Sequence, residues 1–170
     1  MANRRQKQFL KLYEPVHERF ERFCRARAYG GMDFKDLMNE SLLKAYENFH
    51  NLRTKEAFLA YLIGISIRVL AQNHRKRKEV SSNDHQFNRV YCSNIETSTD
   101  YQLLLNLLNE LPENQREALV LFEITGFSLK EIAKIQGVSL DAVKQRIKRG
   151  RDKMRNIMSY ESNLKTGTEL

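Results

Sequence analysis

The sequence predicts an all-α protein made of two small helical domains joined by a flexible linker, with a helix-turn-helix in the C-terminal domain. Three observations carry this. Apolar residues recur at helical spacing through two blocks, residues 5–78 and 100–158, as in helices that bury one face. Residues 79–99 between them lose that period and fill with polar, turn-forming residues, the composition of a linker. Near the C-terminus, two short periodic segments, each opened by a capping residue, meet at Gly137. A length of 170 residues suits one domain or two small ones.

The first block reads as three or four helices around one modest core. Phe9, Leu10, Leu12 and Tyr13 begin an apolar face, and Pro15 must start or kink a helix because it lacks a backbone N–H. Val16, Phe20, Phe23 and Cys24 continue the spacing until Gly30 and Gly31 break it. Asp33 can cap the next helix, which carries Leu37, Met38, Leu42, Leu43, Tyr46 and Phe49. After a turn at Asn51 to Thr54, with Thr54 a candidate cap, Phe58, Tyr61, Leu62, Ile65, Val69 and Leu70 form a strongly apolar helix. Ile63 and Ile67 widen its buried face. The polar stretch that follows is read as a linker rather than as a segment ordered only against a partner, with Val90, Tyr91 and Ile95 its possible anchors.

In the second block, Leu103, Leu104, Leu107, Leu108 and Leu111 share a helical face. Pro112 suits the first turn of the next helix, where its missing N–H costs little. That helix carries Ala118, Leu119, Leu121, Phe122 and Ile124 and ends at Gly126. Ser128 and Glu131 then form a capping-box pattern. Leu129, Ile132, Ala133 and Ile135 give an apolar stripe, and Gly137 can take the left-handed conformation of a helix end. Ser139 caps the following helix, Asp141 sits in its first turn, and Val143 and Ile147 pack inward. Lys144, Gln145, Lys148 and Arg149 are left for the exposed side. That is the pattern of a helix-turn-helix whose second helix enters the DNA major groove. The competing reading is a helical hairpin with a solvated charged face. The tail, residues 159–170, has little to pack and is expected to fray.

Charge supports a polyanionic partner. The net charge is +8 and the pI about 9.6. Residues 130–155 hold nine Lys or Arg against three acids, and Arg75, Lys76, Arg77 and Lys78 form a second cluster. No window is long and apolar enough to span a membrane, and the basic start leads into no signal core, so a cytoplasmic location is expected. Cys24 and Cys92 lack metal-ligand spacing; Cys24 reads as a packing residue and Cys92 as a free thiol. With no phosphate-binding glycine loop, metal cluster or catalytic triad, neither a cofactor nor an enzymatic activity is expected. Asp33, Asp36 and Glu40 read as an exposed helical face or a protein contact rather than a carboxylate site.

The order of these features resembles the bacterial RNA polymerase sigma factors of the sigma-70 family, extracytoplasmic-function (ECF) group, over residues 7–156. Leu111-Pro112, Gln115-Arg116-Glu117, Phe127-Ser128, Glu131-Ile132-Ala133, Gly137-Val138-Ser139 and Val143-Lys144 run like that family's fourth region. Asp36-Leu37, Glu40, Leu43 and Ala45 resemble the polymerase-binding helix of its second region. Phe58, Tyr61-Leu62, Ile65 and the basic run at Arg75 to Lys78 resemble the helix that opens and reads the promoter. The chain departs from the family in having Tyr61 for the usual Trp, Ser66-Ile67-Arg68 for a small-Arg-Asn run, and Gln72 for the usual Asp.

The resemblance implies a dissociable sigma subunit that binds RNA polymerase core and promoter DNA, monomeric when free and subject to an anti-sigma factor. A stand-alone helix-turn-helix regulator is the alternative; an adaptor binding only protein leaves both basic clusters unexplained. Ser139, Lys144, Gln145, Arg146, Lys148 and Arg149 would meet the upstream promoter element, with Arg146 able to turn to the flank instead. Arg68, Gln72, Asn73, His74, Arg75 and Lys76 would meet the downstream element as an opened strand. Tyr61 would either stack there or serve the core. Asp36, Leu37, Glu40, Leu43 and Lys44 would contact polymerase, though Leu37 and in part Leu43 could serve the internal core.

Overall fold

The computed structural model describes residues 2–28, 32–80 and 99–166. The described residues are helices and turns, and the chain divides into two compact units with the boundary after Ser93. The expected linker from residue 81 on, Cys92, and the Gly30-Gly31 break lie outside the described residues.

The first unit holds α1 (Ala2–Tyr13), α2 (His17–Arg27), α3 (Phe34–Glu47) and α4 (Phe58–Val80). Pro15 lies in the 3-10 turn Glu14–Val16 that separates α1 from α2, as its missing N–H requires. Asp33 caps α3 by accepting from the Lys35 backbone N–H at 2.7 Å. Thr54, expected to cap, makes no side-chain cap bond; a 3-10 turn, Lys55–Ala57, leads into α4 instead. Phe20, Phe23, Leu37, Phe58, Leu62, Ile63 and Val69 are fully buried between the helices, and each such side chain contributes about 1.5–3 kcal/mol of burial.

Polar groups fix how α3 meets α4. Ser66 donates to Leu62 O at 3.0 Å and lies 2.9 Å from the Ser41 hydroxyl, satisfying two buried oxygens where the helices come close. Tyr61 donates to Ala45 O at 3.1 Å. At the C-terminal end of α3, Arg5 donates to Tyr46 O at 2.7 Å and Glu47 O at 3.0 Å and stacks over the Tyr46 ring. A cation at a helix C-terminus satisfies free carbonyls and opposes the helix dipole. Phe9 meets Tyr46, Phe49 and Phe58 edge to face, with centroids 5.3–5.4 Å apart.

The second unit holds α5 (Thr99–Asn109), α6 (Glu113–Leu119), α7 (Leu129–Gln136) and α8 (Leu140–Thr166). Leu107, Leu108 and Leu111 are buried as expected, but Leu103 is 41% exposed. Buried Arg116 donates to Leu108 O, Asn109 O and Leu111 O at 2.9–3.2 Å, so its guanidinium closes the C-terminal end of α5. Pro112 is the N-cap of α6, one residue before its first turn.

α6 ends in a π-helical turn, Val120–Ile124, in which Thr125 N–H reaches Val120 O at 2.9 Å. The wider turn lets Val120 and Leu121 both be buried. Gly126 follows at φ 77°, in the left-handed region that glycine tolerates. α8 continues past the expected limit at Ser159 as far as Thr166. Its sequence offers no Gly or Pro between Gly150 and Gly167 to stop it.

Candidate nucleic-acid interface

The α7-turn-α8 element is held by the expected local signals. Ser128 Oγ accepts from Glu131 N–H, and Glu131 accepts from Ser128 N–H at 2.8 Å, so the capping box is closed from both sides. Gly137 takes φ 64°. Ser139 Oγ accepts from Ala142 N–H at 3.2 Å and starts α8. Ile132 and Val143 are fully buried and Ile147 nearly so, which fixes the rotation of α8. Lys144, Gln145, Lys148 and Arg149 are consequently exposed together on its outer side. Lys144 keeps one ion pair, to Asp141 at 3.3 Å; in water such an exposed pair is weak.

Arg146 lies at the flank of this face, the placement that its helical spacing allowed. It is half-buried and donates from Nη1 to Gln136 Oε1 at 2.9 Å, while Gln136 Nε2 donates to Glu117 Oε1 at 2.9 Å and Asn114 O at 3.3 Å. This chain of amide and guanidinium groups braces α6, α7 and α8 against one another. The flank position follows from helix phase: Arg146 lies beside the inward residues Val143 and Ile147.

Beside the exposed face lies a hollow of about 370 Å³, lined by Phe122, Leu129 and Ile147 and by Lys144, Lys148, Arg151, Asp152 and Arg155, with Asp152 paired to Arg155 at 3.1 Å. Arg151 is tied to Glu123 and stacks over Phe122. Sequence reasoning did not single out Arg151 or Arg155. Their spacing of seven and eleven from Lys144 put them on the same helical stripe.

In the first unit, α4 carries Arg68, Gln72, Arg75 and Lys76 along one exposed stripe, with His74 exposed at its flank. Arg68 Nε donates to Gly64 O at 3.0 Å. Asn73 is half-buried and its amide lies 2.8 Å from Met32 Sδ, so it faces the α2–α3 side rather than the open stripe. Tyr61, half-buried and bonded to Ala45 O, sits with the core. Burial raises its phenol above the ordinary value.

On α3, Asp36 and Leu43 are exposed, and Glu40 and Lys44 half-exposed. Leu43 is a large apolar side chain left 59% open. Leu37 is 0% exposed. Its expected role as a polymerase contact is therefore corrected: it shares the inward stripe of Phe34, Met38, Ser41 and Ala45 and serves the core. Lys44 Nζ donates to Glu40 Oε1 at 2.8 Å and to Gln72 Oε1 on α4 at 3.1 Å. Among the described residues no group of three or more His, Cys, Asp or Glu could hold a metal, and no helix is long and apolar enough to cross a membrane.

A capped helix-turn-helix with an exposed cationic second helix, in one chain with a separate helical unit ending in a basic helix, defines a two-domain all-α DNA-binding protein. The comparisons with known proteins narrow the class. The Sigma-70 region 2 model matches residues 12–80 and the Sigma-70, region 4 model matches residues 101–154. The chain is 30% identical over 122 residues to ECF RNA polymerase sigma factor EcfG of Rhodopseudomonas palustris, covering 70% of this chain and 67% of that one. It is 25% identical over 167 residues to ECF RNA polymerase sigma factor SigM of Mycobacterium tuberculosis, covering 95% and 81%. Among solved structures it resembles the sigma factor RpoE, in complex with the anti-sigma factor NepR, from Bartonella quintana. The TM-score is 0.75 at 27% identity, with 90% of this chain and 96% of that one covered. The chain belongs to the sigma-70 family, in its ECF group.

Proposed function

We infer that this protein is the promoter-recognising sigma subunit of RNA polymerase, acting through two DNA-facing units. The observation that carries the reading is the exposed cationic face of α8, set by a capped helix-turn-helix, in a chain matched by both the second and the fourth sigma regions. The chain supplies recognition and opening of DNA, and nucleotidyl transfer belongs to the polymerase core. Residues 5–78 form the core-binding and downstream-element domain, and residues 100–158 the upstream-element domain.

In this reading Lys144, Gln145, Lys148 and Arg149 enter the major groove of the upstream element, and Ser139 with the first amides of α8 positions a phosphate. Arg68, Gln72, His74, Arg75 and Lys76 meet the opened downstream strand, the cations following its phosphates. Asn73 stands at the edge of that surface. Asp36, Glu40, Leu43 and Lys44 face the polymerase core, an apolar side chain among charges that orient the partner. The work is done where the chromosome lies, in the cytoplasm. A protein of the anti-sigma class, such as the one bound to the similar RpoE, would act by covering these surfaces.

The test adds the purified chain to core polymerase and measures initiation on a promoter library. Initiation at a defined promoter subset, dependent on the chain, is expected. Arg149→Ala should weaken upstream-element binding by about 1–3 kcal/mol and relax its base preference, if Arg149 makes a bidentate base contact. Specific duplex binding without any effect on polymerase would instead identify a stand-alone regulator. Unchanged affinity and base preference in Arg149→Ala would reject the α8 assignment.

A further inference from the structure

Lys44 joins two surfaces that the functional reading gives to different partners. It stands on α3 among the polymerase-facing residues, yet its ammonium reaches across to α4. There it lies 3.1 Å from Gln72 Oε1 while Glu40 Oε1 holds it from the other side at 2.8 Å. An ammonium has N–H donors and no acceptor. The atom of Gln72 that faces Lys44 must therefore be the amide oxygen. The Gln72 NH2 group is left without that partner, on the exposed stripe it shares with Arg68, Arg75 and Lys76. A glutamine free to turn about its last bond can offer either an oxygen or an NH2 to a ligand. With its oxygen turned to Lys44, Gln72 presents its NH2 group outward, and donating becomes its main offer to a ligand.

We propose that Lys44 is a positioning residue for promoter reading. By holding Gln72 Oε1, it makes Gln72 a donor that selects a hydrogen-bond acceptor on the opened strand. The inference rests on the promoter-opening function above and extends it to a specificity rule. At the base facing Gln72, a keto group is accepted and an exocyclic amino group, itself a donor, is rejected. If the acceptor is instead a phosphate oxygen, the same donor chemistry holds but carries no base preference. Glu40 keeps the ammonium in place from its own helix, one turn before Lys44, so the orientation of a DNA-facing amide is set from the polymerase-facing side of the fold.

The test uses holoenzyme reconstituted from core polymerase and the full chain, with every variant titrated to full occupancy of core. Opening rates are read by base fluorescence on promoters bearing each base at every downstream position. A parallel set carries single neutral methylphosphonate linkages. The variants are Lys44→Met, Lys44→Arg, Gln72→Ala and the Lys44→Met/Gln72→Ala pair. For the wild type, a preference of about fivefold for a keto base at one position is expected, the worth of one hydrogen bond. Gln72→Ala and Lys44→Met should each abolish it at that same position. The double variant should be no worse than either single, and Lys44→Arg, a donor-only side chain, should retain it.

If one neutral linkage slows the wild type and Lys44→Arg but neither Gln72→Ala nor Lys44→Met, the acceptor is that phosphate and the positioning role stands. Additive losses in the double variant, a preference for an amino base, or a Lys44→Met holoenzyme that discriminates like wild type would overturn the proposal. A wild-type holoenzyme that opens no promoter would instead overturn the functional reading beneath it.

Discussion

Cys24 shows how one buried residue can report on the whole first unit. It is 0% exposed on α2. Burial, with Glu21 adding its charge, pushes its thiol well above the ordinary value of 9.0. Tyr13, at the end of α1 on the other side of the Pro15 corner, is pushed up from 10.0 to about 12, again first by burial. In both cases the folded state holds a proton that the unfolded chain releases. Stability is therefore constant below the ordinary value and falls as pH rises through it toward the folded value. The decline should start near pH 9 with Cys24 and steepen near pH 10 with Tyr13. Cys24→Ala should cost about 1 kcal/mol at neutral pH, and that deficit should shrink above pH 9, where only the wild type still has a buried thiol to lose. Urea midpoints measured for both proteins across this range decide it. A deficit that stays constant into the alkaline range would mean the thiol does not titrate on unfolding.

At the scale of the element, local chemistry was legible and tertiary chemistry was not. The caps at Asp33, Ser128 and Ser139 and the left-handed Gly137 follow from residue type and neighbours alone, and the structure has them. Thr54 carried the same signal and makes no cap bond. Leu37 and Leu43 looked alike as apolar residues on α3. The inward stripe is marked by Leu37, Ser41 and Ala45 at four-residue spacing, and Ser41 hid it because a serine does not read as core. Its hydroxyl meets that of Ser66, 25 residues away. The bonds of Arg146 to Gln136 and of Lys44 to Gln72 likewise join residues that no periodicity connects.

Gly150 is a further case. It sits buried in the middle of α8, where glycine weakens a helix, because a Cβ there would lie 2.6 Å from Leu119 Cδ1 and 3.3 Å from Leu119 Cγ. Leu119 is itself buried, so it has little room to retreat. Gly150→Ala gains about 1 kcal/mol of helix propensity and meets an overpacking cost of about 1–3 kcal/mol. A net loss of stability in the second unit is expected, relieved in the Gly150→Ala/Leu119→Ala pair relative to the sum of the single changes. Gly150→Ala that is as stable as wild type in thermal unfolding would show that α6 and α8 can separate without cost.

For the molecule as a whole, the expectation of two small helical domains holds because each unit has its own complete core. Phe20, Phe23, Leu37, Phe58 and Leu62 fill the first, and Leu121, Ile132 and Val143 the second. Each unit also closes its own helix ends, Arg5 over α3 and Arg116 over α5. The residues named for each core come from that unit's own helices, so loss of packing in one is expected to leave the other's free energy unchanged. Leu62→Ala should lower the stability of the first unit by about 2–5 kcal/mol, and Leu121→Ala that of the second by a similar amount. Hydrogen exchange read by mass spectrometry resolves the two units in one intact chain. In Leu62→Ala, protection should fall in α2, α3 and α4 while α6, α7 and the first half of α8 keep wild-type protection, and Leu121→Ala should give the converse. Functionally, the Leu121→Ala protein should lose upstream-element binding while a core-polymerase pull-down still retains it. A single mutation that lowers protection throughout the chain would show the two units to be one cooperative structure, and the assignment of separate tasks to separate units would fall with it.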